Sequence, residues 1–176
     1  MKRTRLSQSV MLVILLCLLT GLLLGGTGCP RTSTYLKILP RDTTVSTNHT
    51  FTLNVTLDPA PEHVIAGVQF DLSFNSTLLQ AEGVDAGTFL SGPCSASFFR
   101  EGTIDNEAGT ITAVVDVVTD PGCVVSTVGT VATVTFKARL TTGTSQLRLT
   151  NTKVGNAEGD TLYSVPYTAT VQVRSP

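Results

Sequence analysis

The sequence predicts an all-β domain built from two packed sheets. Apolar and polar residues alternate over residues 51–57 and again over residues 68–74, as expected for strands with one buried face and one wet face. Pro, Gly, Asn and Asp interrupt these runs at short intervals, which is typical of turns between strands. No segment keeps apolar residues at helical spacing for three turns. Many short strands separated by turns indicate a β-sandwich.

The predicted strands follow one another along the whole domain. The run 51–57 ends at Pro59, because proline lacks the amide hydrogen that a sheet requires. The run 68–74 leads into a single helical turn at 76–79, and a later strand at 111–117 is expected to alternate without interruption. Further strands are predicted at 35–38, 81–84, 95–104, 132–138, 146–150 and 168–173.

The N-terminus has the order of an export signal. Three basic residues (Lys2, Arg3 and Arg5) precede a charge-free apolar run at 10–24, and small residues then lead to Cys29. We therefore predict a signal at residues 1–28, a short tether at 29–33 and one domain at 34–176. Three outcomes stay open: release after cleavage, lipid attachment to Cys29, or retention as an N-terminal anchor, since the run approaches the ~20 residues that span a bilayer. Each places the domain outside the cell or at its surface.

The charge balance argues against several classes of partner. The chain has 12 basic and 13 acidic residues, and three of the basic residues belong to the predicted signal. The domain that follows is therefore acidic and has no basic stripe. This composition argues against binding to nucleic acid or to anionic membrane surfaces, so that contact with a membrane is expected only through the N-terminal signal or lipid.

Two cysteines remain within the predicted domain, Cys94 and Cys123. In an exported chain, such a pair predicts one structural disulfide. A zinc site would need more Cys or His ligands nearby, whereas His49 and His63 are distant in the sequence. We therefore expect no metal and no cofactor. Three Asn-x-Ser/Thr sequons, at Asn48, Asn54 and Asn75, are candidate glycosylation sites in a host with the machinery.

Three segments together resemble cohesin domains. Residues 66–80 (AGVQFDLSFNSTLLQ) resemble the third cohesin strand and the turn that follows it. Residues 109–115 (GTITAVV) resemble the strand after the central loop, and residues 129–138 (GTVATVTFKA) resemble a later strand. Their order and spacing match over the whole predicted domain. The resemblance implies a nine-stranded jelly-roll sandwich that is non-catalytic, monomeric and binds a dockerin. Any calcium then belongs to the dockerin, and the partner docks on the flat face of one sheet.

That resemblance also suggests which residues form the binding face. They are the residues expected to point outward from three central strands, with Val114 as an exposed apolar centre among polar neighbours. The predicted face consists of Gln69, Asp71, Ser73, Thr112, Val114, Asp116, Thr133 and Thr135. Such a module would scaffold secreted or surface proteins, with a link to polysaccharide degradation.

Two other classes of binding protein stay open at this stage. A carbohydrate-binding module normally stacks sugars on exposed aromatic rings; Trp is absent here, and the three tyrosines are Tyr35, Tyr163 and Tyr167. A structural or adhesive surface module has no distinguishing motif. An enzyme is not expected, because the acidic residues are scattered over turns and no nucleophile motif is present.

Overall fold

The alternating segments form strands whose apolar sides face one another across two sheets. The computed structural model describes residues 33–176. The predicted signal, the lipidation candidate Cys29 and most of the tether lie outside that range. The strands are β1 (Thr34–Leu39), β2 (Asp42–Ser46), β3 (Thr50–Asp58), β4 (Gly67–Ser73), β5 (Leu79–Ala86), β6 (Ser97–Arg100), β7 (Thr103–Asp105), β8 (Thr110–Val118), β9 (Gly129–Ala138), β10 (Gly143–Gly155), β11 (Thr161–Leu162), β12 (Ser164–Pro166) and β13 (Ala169–Arg174).

Two sheets make up the sandwich. The first has the strand order β12-β1-β3-β9-β5, and the second has the order β2-β13-β10-β4-β8-β6, with β7 beside β8 and β11 beside β10. The chain crosses between the sheets after β1, β2, β3, β4, β5, β8, β9, β11 and β12, so most neighbouring strands are distant in sequence. The all-β sandwich predicted from the sequence is confirmed. Within residues 33–176 the structure has thirteen strands, more than the nine expected, and three of them, β7, β11 and β12, are pieces of two or three residues.

The core lies between the inner faces of the two sheets. Phe136 on β9 is fully buried and contacts Phe51 and Phe74, with ring centroids 5.9 and 5.2 Å away. Phe70 and Leu72 project inward from β4, as their alternation predicted. Burial of each such side chain stabilises the fold by about 1.5–3 kcal/mol. Within residues 33–176, no helix is long and apolar enough to cross a membrane.

A disulfide joins two loops at one end of the sandwich. Cys94, in the β5–β6 connection, is bonded to Cys123, in the β8–β9 connection, as the sequence predicted. Cys94 is buried, and Cys123 packs against the core. Nearby, Ile65 and Val125 exchange backbone hydrogen bonds of 2.8 and 2.9 Å. The bond and this bridge together hold the long β8–β9 connection against the body of the domain.

We predict that replacing both cysteines with serine lowers the free energy of unfolding by roughly 3–4 kcal/mol, because the bond closes a long loop and restricts the unfolded chain. Urea denaturation of the oxidised protein and of the double variant measures the difference. Equal midpoints for the two proteins would contradict the stabilising role, and two free thiols in the native oxidised protein would contradict the bond itself.

Candidate protein-binding face

The pairing of β4 with each of its two neighbours, β8 and β10, is irregular at one point, and the side chain of Asp71 contacts both irregular segments. On the β8 side, Thr112 and Ala113 lie together opposite Asp71; on the β10 side, the pairing skips two residues after Thr150. The backbone amide of Ala113 donates to the Asp71 carboxylate at 2.7 Å, and the side-chain amide of Asn151 donates to its other oxygen. Ala113 and Asn151 both have positive φ, 57° and 49°. Asp71 therefore caps two β-bulges at once.

The bulge at Ala113 reverses which residues of β8 face solvent. An extra residue shifts the alternation of side chains by one position from there onward. Val114 and Asp116, which were expected on the outside, are therefore buried, with 0% and 3% of their surface exposed. Their placement on an exposed face was wrong. Val115 and Val117 point outward instead, and Thr112, before the bulge, is exposed as predicted.

The predicted face also joined residues of two different sheets. Thr133 and Thr135 lie on β9, which pairs with β3 and β5 in the five-stranded sheet. Gln69, Asp71 and Ser73 lie on β4 in the other sheet. Both sets point away from the core, but toward opposite sides of the sandwich. The two threonines therefore cannot share one docking surface with the β4 residues.

The structure groups a different set of residues on the outer side of β4, β6, β8 and β10, which we term the partner face. The pairing registers place these residues in rows that run across the sheet. From one end of the strands to the other, the rows are Gly155-Gly67-Val117-Phe98, Lys153-Gln69-Val115-Arg100, Thr150-Asp71-Thr112 and Arg148-Ser73-Thr110.

One end of the partner face is apolar and has a shallow depression. Phe98, beside Val117, exposes 54% of its surface. The depression, of ≈ 180 Å³, lies between Val115, Val117 and Lys153, and the backbones of Gly67 and Gly155 form part of its lining. Two facing glycines leave this space because neither has a side chain to fill it. An exposed aromatic ring beside a small apolar hollow has the character of an interface centre.

The partner face carries positive charge although the domain as a whole is acidic. Arg100, Arg148 and Lys153 are all exposed on it. Within residues 33–176 the ion pair that forms is Lys37 with Asp58, on the other sheet, so these three cations have no carboxylate partner there. Asp71 is engaged by the two bulges. The face therefore favours a partner that presents apolar side chains with acidic groups around them.

Asp116 lies behind this face as a buried carboxyl group. It sits on the inner side of β8, between the ladder partners Val68 and Phe99. Desolvation by burial raises the pKa of Asp116 from its ordinary value of 3.8 to about 6. The folded protein therefore holds a proton there between about pH 4 and pH 6 that the unfolded chain releases.

Sequence reasoning predicted four residues of the partner face and missed the other ten, among them Phe98, Arg100, Val115, Val117 and Lys153. One signal was present, since the doublets Phe98-Phe99 and Val114-Val115 do not fit a simple alternation and make the phase of a strand ambiguous. Lys153 could not be found this way, because its position depends on the bulge in β10.

The other candidate sites lie outside this face. Asn48, Asn54 and Asn75 are all exposed; Asn54 accepts a hydrogen bond from Thr133 at 2.9 Å, and Asn75 from the amide of Thr77 at 3.0 Å. His63 contacts the Thr34 hydroxyl at 2.7 Å, and no cluster of three or more metal-binding side chains forms in the part of the chain that the structure describes.

We predict that Asp71→Ala lowers the free energy of unfolding by about 1–3 kcal/mol, because it removes the acceptor for one backbone amide and one side-chain amide. Asp71→Asn should cost less, since it keeps an acceptor for Ala113. Ser73→Ala, two residues along the same side of β4, serves as the control and should stay within about 0.5 kcal/mol of the parent. Urea denaturation measures all three, and equal losses for Ala at both positions would contradict the capping role.

We predict that the stability of the protein depends on pH through Asp116. Because the folded-state pKa of Asp116 is raised, its favourable contribution is complete below about pH 4 and is lost as the pH rises through 6. Asp116→Asn removes the charge, so it should stabilise the protein at pH 8 by roughly 1–3 kcal/mol and have little effect at pH 4. Denaturation curves at the two pH values measure this. The same pH dependence in both proteins would contradict a buried carboxylate.

Comparisons with known proteins agree with this architecture. A non-cellulosomal cohesin from the archaeon Archaeoglobus fulgidus superposes with a TM-score of 0.62 at 14% identity, covering 81% of this chain and 92% of that one. The OlpC cohesin of a Clostridium thermocellum type I cohesin–dockerin complex gives 0.67 at 12% identity, with coverages of 86% and 99%. A type II cohesin of the Acetivibrio cellulolyticus cellulosome gives 0.62 at 19% identity, with coverages of 79% and 95%. At these identities the likeness shows the fold.

A search of curated protein sequences finds no match. The model of the cohesin domain, in contrast, matches residues 37–173, which is most of the chain and nearly all of the sandwich. The sequence resemblance and the prediction that the chain is not an enzyme are therefore confirmed: the chain belongs to the cohesin domain family, whose members are non-catalytic protein-binding modules.

Proposed function

We propose that this chain is an exported cohesin module that binds a dockerin through the partner face. One observation carries the proposal: an exposed aromatic ring, Phe98 on the edge strand β6, adjoins the outward-facing Val115 and Val117 of β8. Binding energy at protein interfaces concentrates in a few apolar and aromatic anchor residues of this kind.

The solved relatives support the choice of partner. The OlpC cohesin was determined as a cohesin–dockerin complex, and so was the sixth cohesin of scaffoldin B from Acetivibrio cellulolyticus, which gives a TM-score of 0.64. The positive charge on the partner face further restricts which dockerin fits this chain. Arg100 and Lys153 flank the apolar centre in the same row, so the dockerin that fits should place acidic groups beside its apolar contact residues.

The remaining features of the proposal rest on the sequence. Residues 1–28 would direct export, and Cys29 could hold the domain at the membrane through a lipid. The module would act as a monomer with no cofactor of its own, and the calcium would be bound by the dockerin. Its task would be to hold secreted or surface proteins together in the extracellular space, including proteins that degrade polysaccharides.

The proposal predicts that Phe98→Ala weakens dockerin binding by about thirtyfold or more, since loss of an aromatic anchor costs about 2 kcal/mol or more. Val117→Lys should weaken it at least as much, because it places a charge at the apolar centre. Isothermal titration calorimetry with calcium-loaded dockerins encoded by the same genome measures the affinities. Thr52→Lys, an exposed substitution on the outer side of β3 in the opposite sheet, is the matched control and should bind as the parent does.

Two results would contradict the proposal. If none of the calcium-loaded dockerins binds the parent protein, dockerin binding itself is wrong. If Thr52→Lys abolishes binding while the two partner-face variants bind normally, the interface lies on the other sheet.

A further inference from the structure

All three tyrosines of the chain lie in one strip along β1 and β12, which form one edge of the five-stranded sheet. Strand β12 pairs in parallel with β1, and Val165 is opposite Tyr35 in that register. Thr34 and Leu36 on β1 are buried, so Tyr35 points outward. Tyr167 directly follows β12 and its ring contacts that of Tyr35, and the exposed Tyr163 directly precedes β12. Because the chain has no tryptophan, this strip contains all of its amphipathic aromatic rings.

Two of these rings are held in place by contacts with each other and with cations. The rings of Tyr35 and Tyr167 have centroids 5.5 Å apart. The Lys37 ammonium lies 5.4 Å from the Tyr35 centroid and is itself fixed by an ion pair with Asp58 at 2.6 Å. The strip is thus preorganised, which reduces the entropy lost when a ligand binds.

Arg41 supplies a charge that the protein itself leaves unpaired. Its guanidinium lies 5.1 Å from the centroid of Tyr167, and the residue is exposed. Within the part of the chain that the structure describes, no carboxylate forms an ion pair with it. A guanidinium held against an aromatic ring keeps several hydrogen-bond donors directed outward, in a geometry that suits a carboxylate.

Tyr163 has no evident structural task. It exposes 70% of its surface, and it directly precedes β12, the edge strand of the five-stranded sheet. Tyr163 and Tyr167 are four residues apart in an extended segment, which separates them by about 13 Å along the strand. Two aromatic rings spaced along an open edge offer stacking surfaces to an elongated ligand.

We propose that this tyrosine strip, Tyr35, Tyr163 and Tyr167 with the adjacent Arg41, binds an acidic polysaccharide. Pyranose rings have apolar faces that stack on the tyrosine rings, and Arg41 donates hydrogen bonds to a uronate carboxylate. The site lies on the five-stranded sheet and shares no residue with the partner face. The module can therefore hold a protein partner and a glycan at the same time, and the glycan site does not depend on the identity of the protein partner.

Affinity electrophoresis in native gels tests this proposal. We expect gels that contain polygalacturonate to retard the protein, and gels that contain neutral hydroxyethyl cellulose to retard it much less. Tyr163→Ser and Arg41→Gln should each weaken retardation by about tenfold, since each removes one stacking or charged contact. Tyr163→Phe keeps the ring and should retain binding. Phe98→Ala, on the partner face, should behave as the parent does.

The variants should keep the thermal stability of the parent because both residues are exposed, so that loss of retardation reports binding. The proposal is overturned if polygalacturonate does not retard the parent, if neutral polysaccharide retards it equally, or if Tyr163→Ser and Arg41→Gln migrate as the parent does. Each of these results leaves dockerin binding by the partner face unaffected, so the two proposals fail independently.

Discussion

The arrangement of the partner face depends on one carboxylate that caps two β-bulges. Asp71 accepts hydrogen bonds from Ala113 on β8 and from Asn151 on β10, so the neighbours on both sides of β4 are irregular at the same level of the sheet. Because a bulge changes which side of a strand faces outward, these contacts bring Val115, Val117 and Lys153 to the surface. They also turn Val114 and Asp116 into the core. Without this pair of bulges, the same strands would present a different surface to a partner.

The alternation of apolar and polar residues was sufficient to predict the β-sandwich and the buried side of β4. It did not predict which residues form the partner face. Val68, Phe70 and Leu72 are buried as their spacing indicated, and Cys94 and Cys123 are bonded to each other as predicted from the two cysteines of the domain. The phase of β8, however, is set by Asp71, which lies 42 residues earlier in the chain. The residues that neighbour Ala113 in the sequence therefore do not show which side chains of β8 face outward. The assignment of Thr133 to the wrong sheet has a similar cause, since strand pairing is a long-range property that repeating Val-Thr patterns do not specify.

The two outer surfaces of the sandwich differ in chemistry, which suits two tasks. The partner face has an apolar cluster beside exposed cations, whereas the outer side of the five-stranded sheet is rich in threonine and has the tyrosines at its edge.

Asp116 lies in the core, directly behind the partner face. Its buried carboxyl group lies behind Phe98 and Val117, next to the short edge strand β6. Retaining a carboxyl group in that position costs stability at neutral pH, a cost that apolar packing of the core must offset.

The most direct test of the account is a methyl NMR titration of the protein with a calcium-loaded dockerin that binds it. Val115 and Val117 present outward methyl groups on the partner face, Val114 is a buried neighbour on the same strand, and Thr52 and Thr135 report on the opposite sheet. We predict that saturation with the dockerin shifts or broadens the methyl signals of Val115 and Val117 most strongly, and leaves those of Thr52 and Thr135 unchanged. Perturbation of the threonines with unchanged Val115 and Val117 signals would contradict the account.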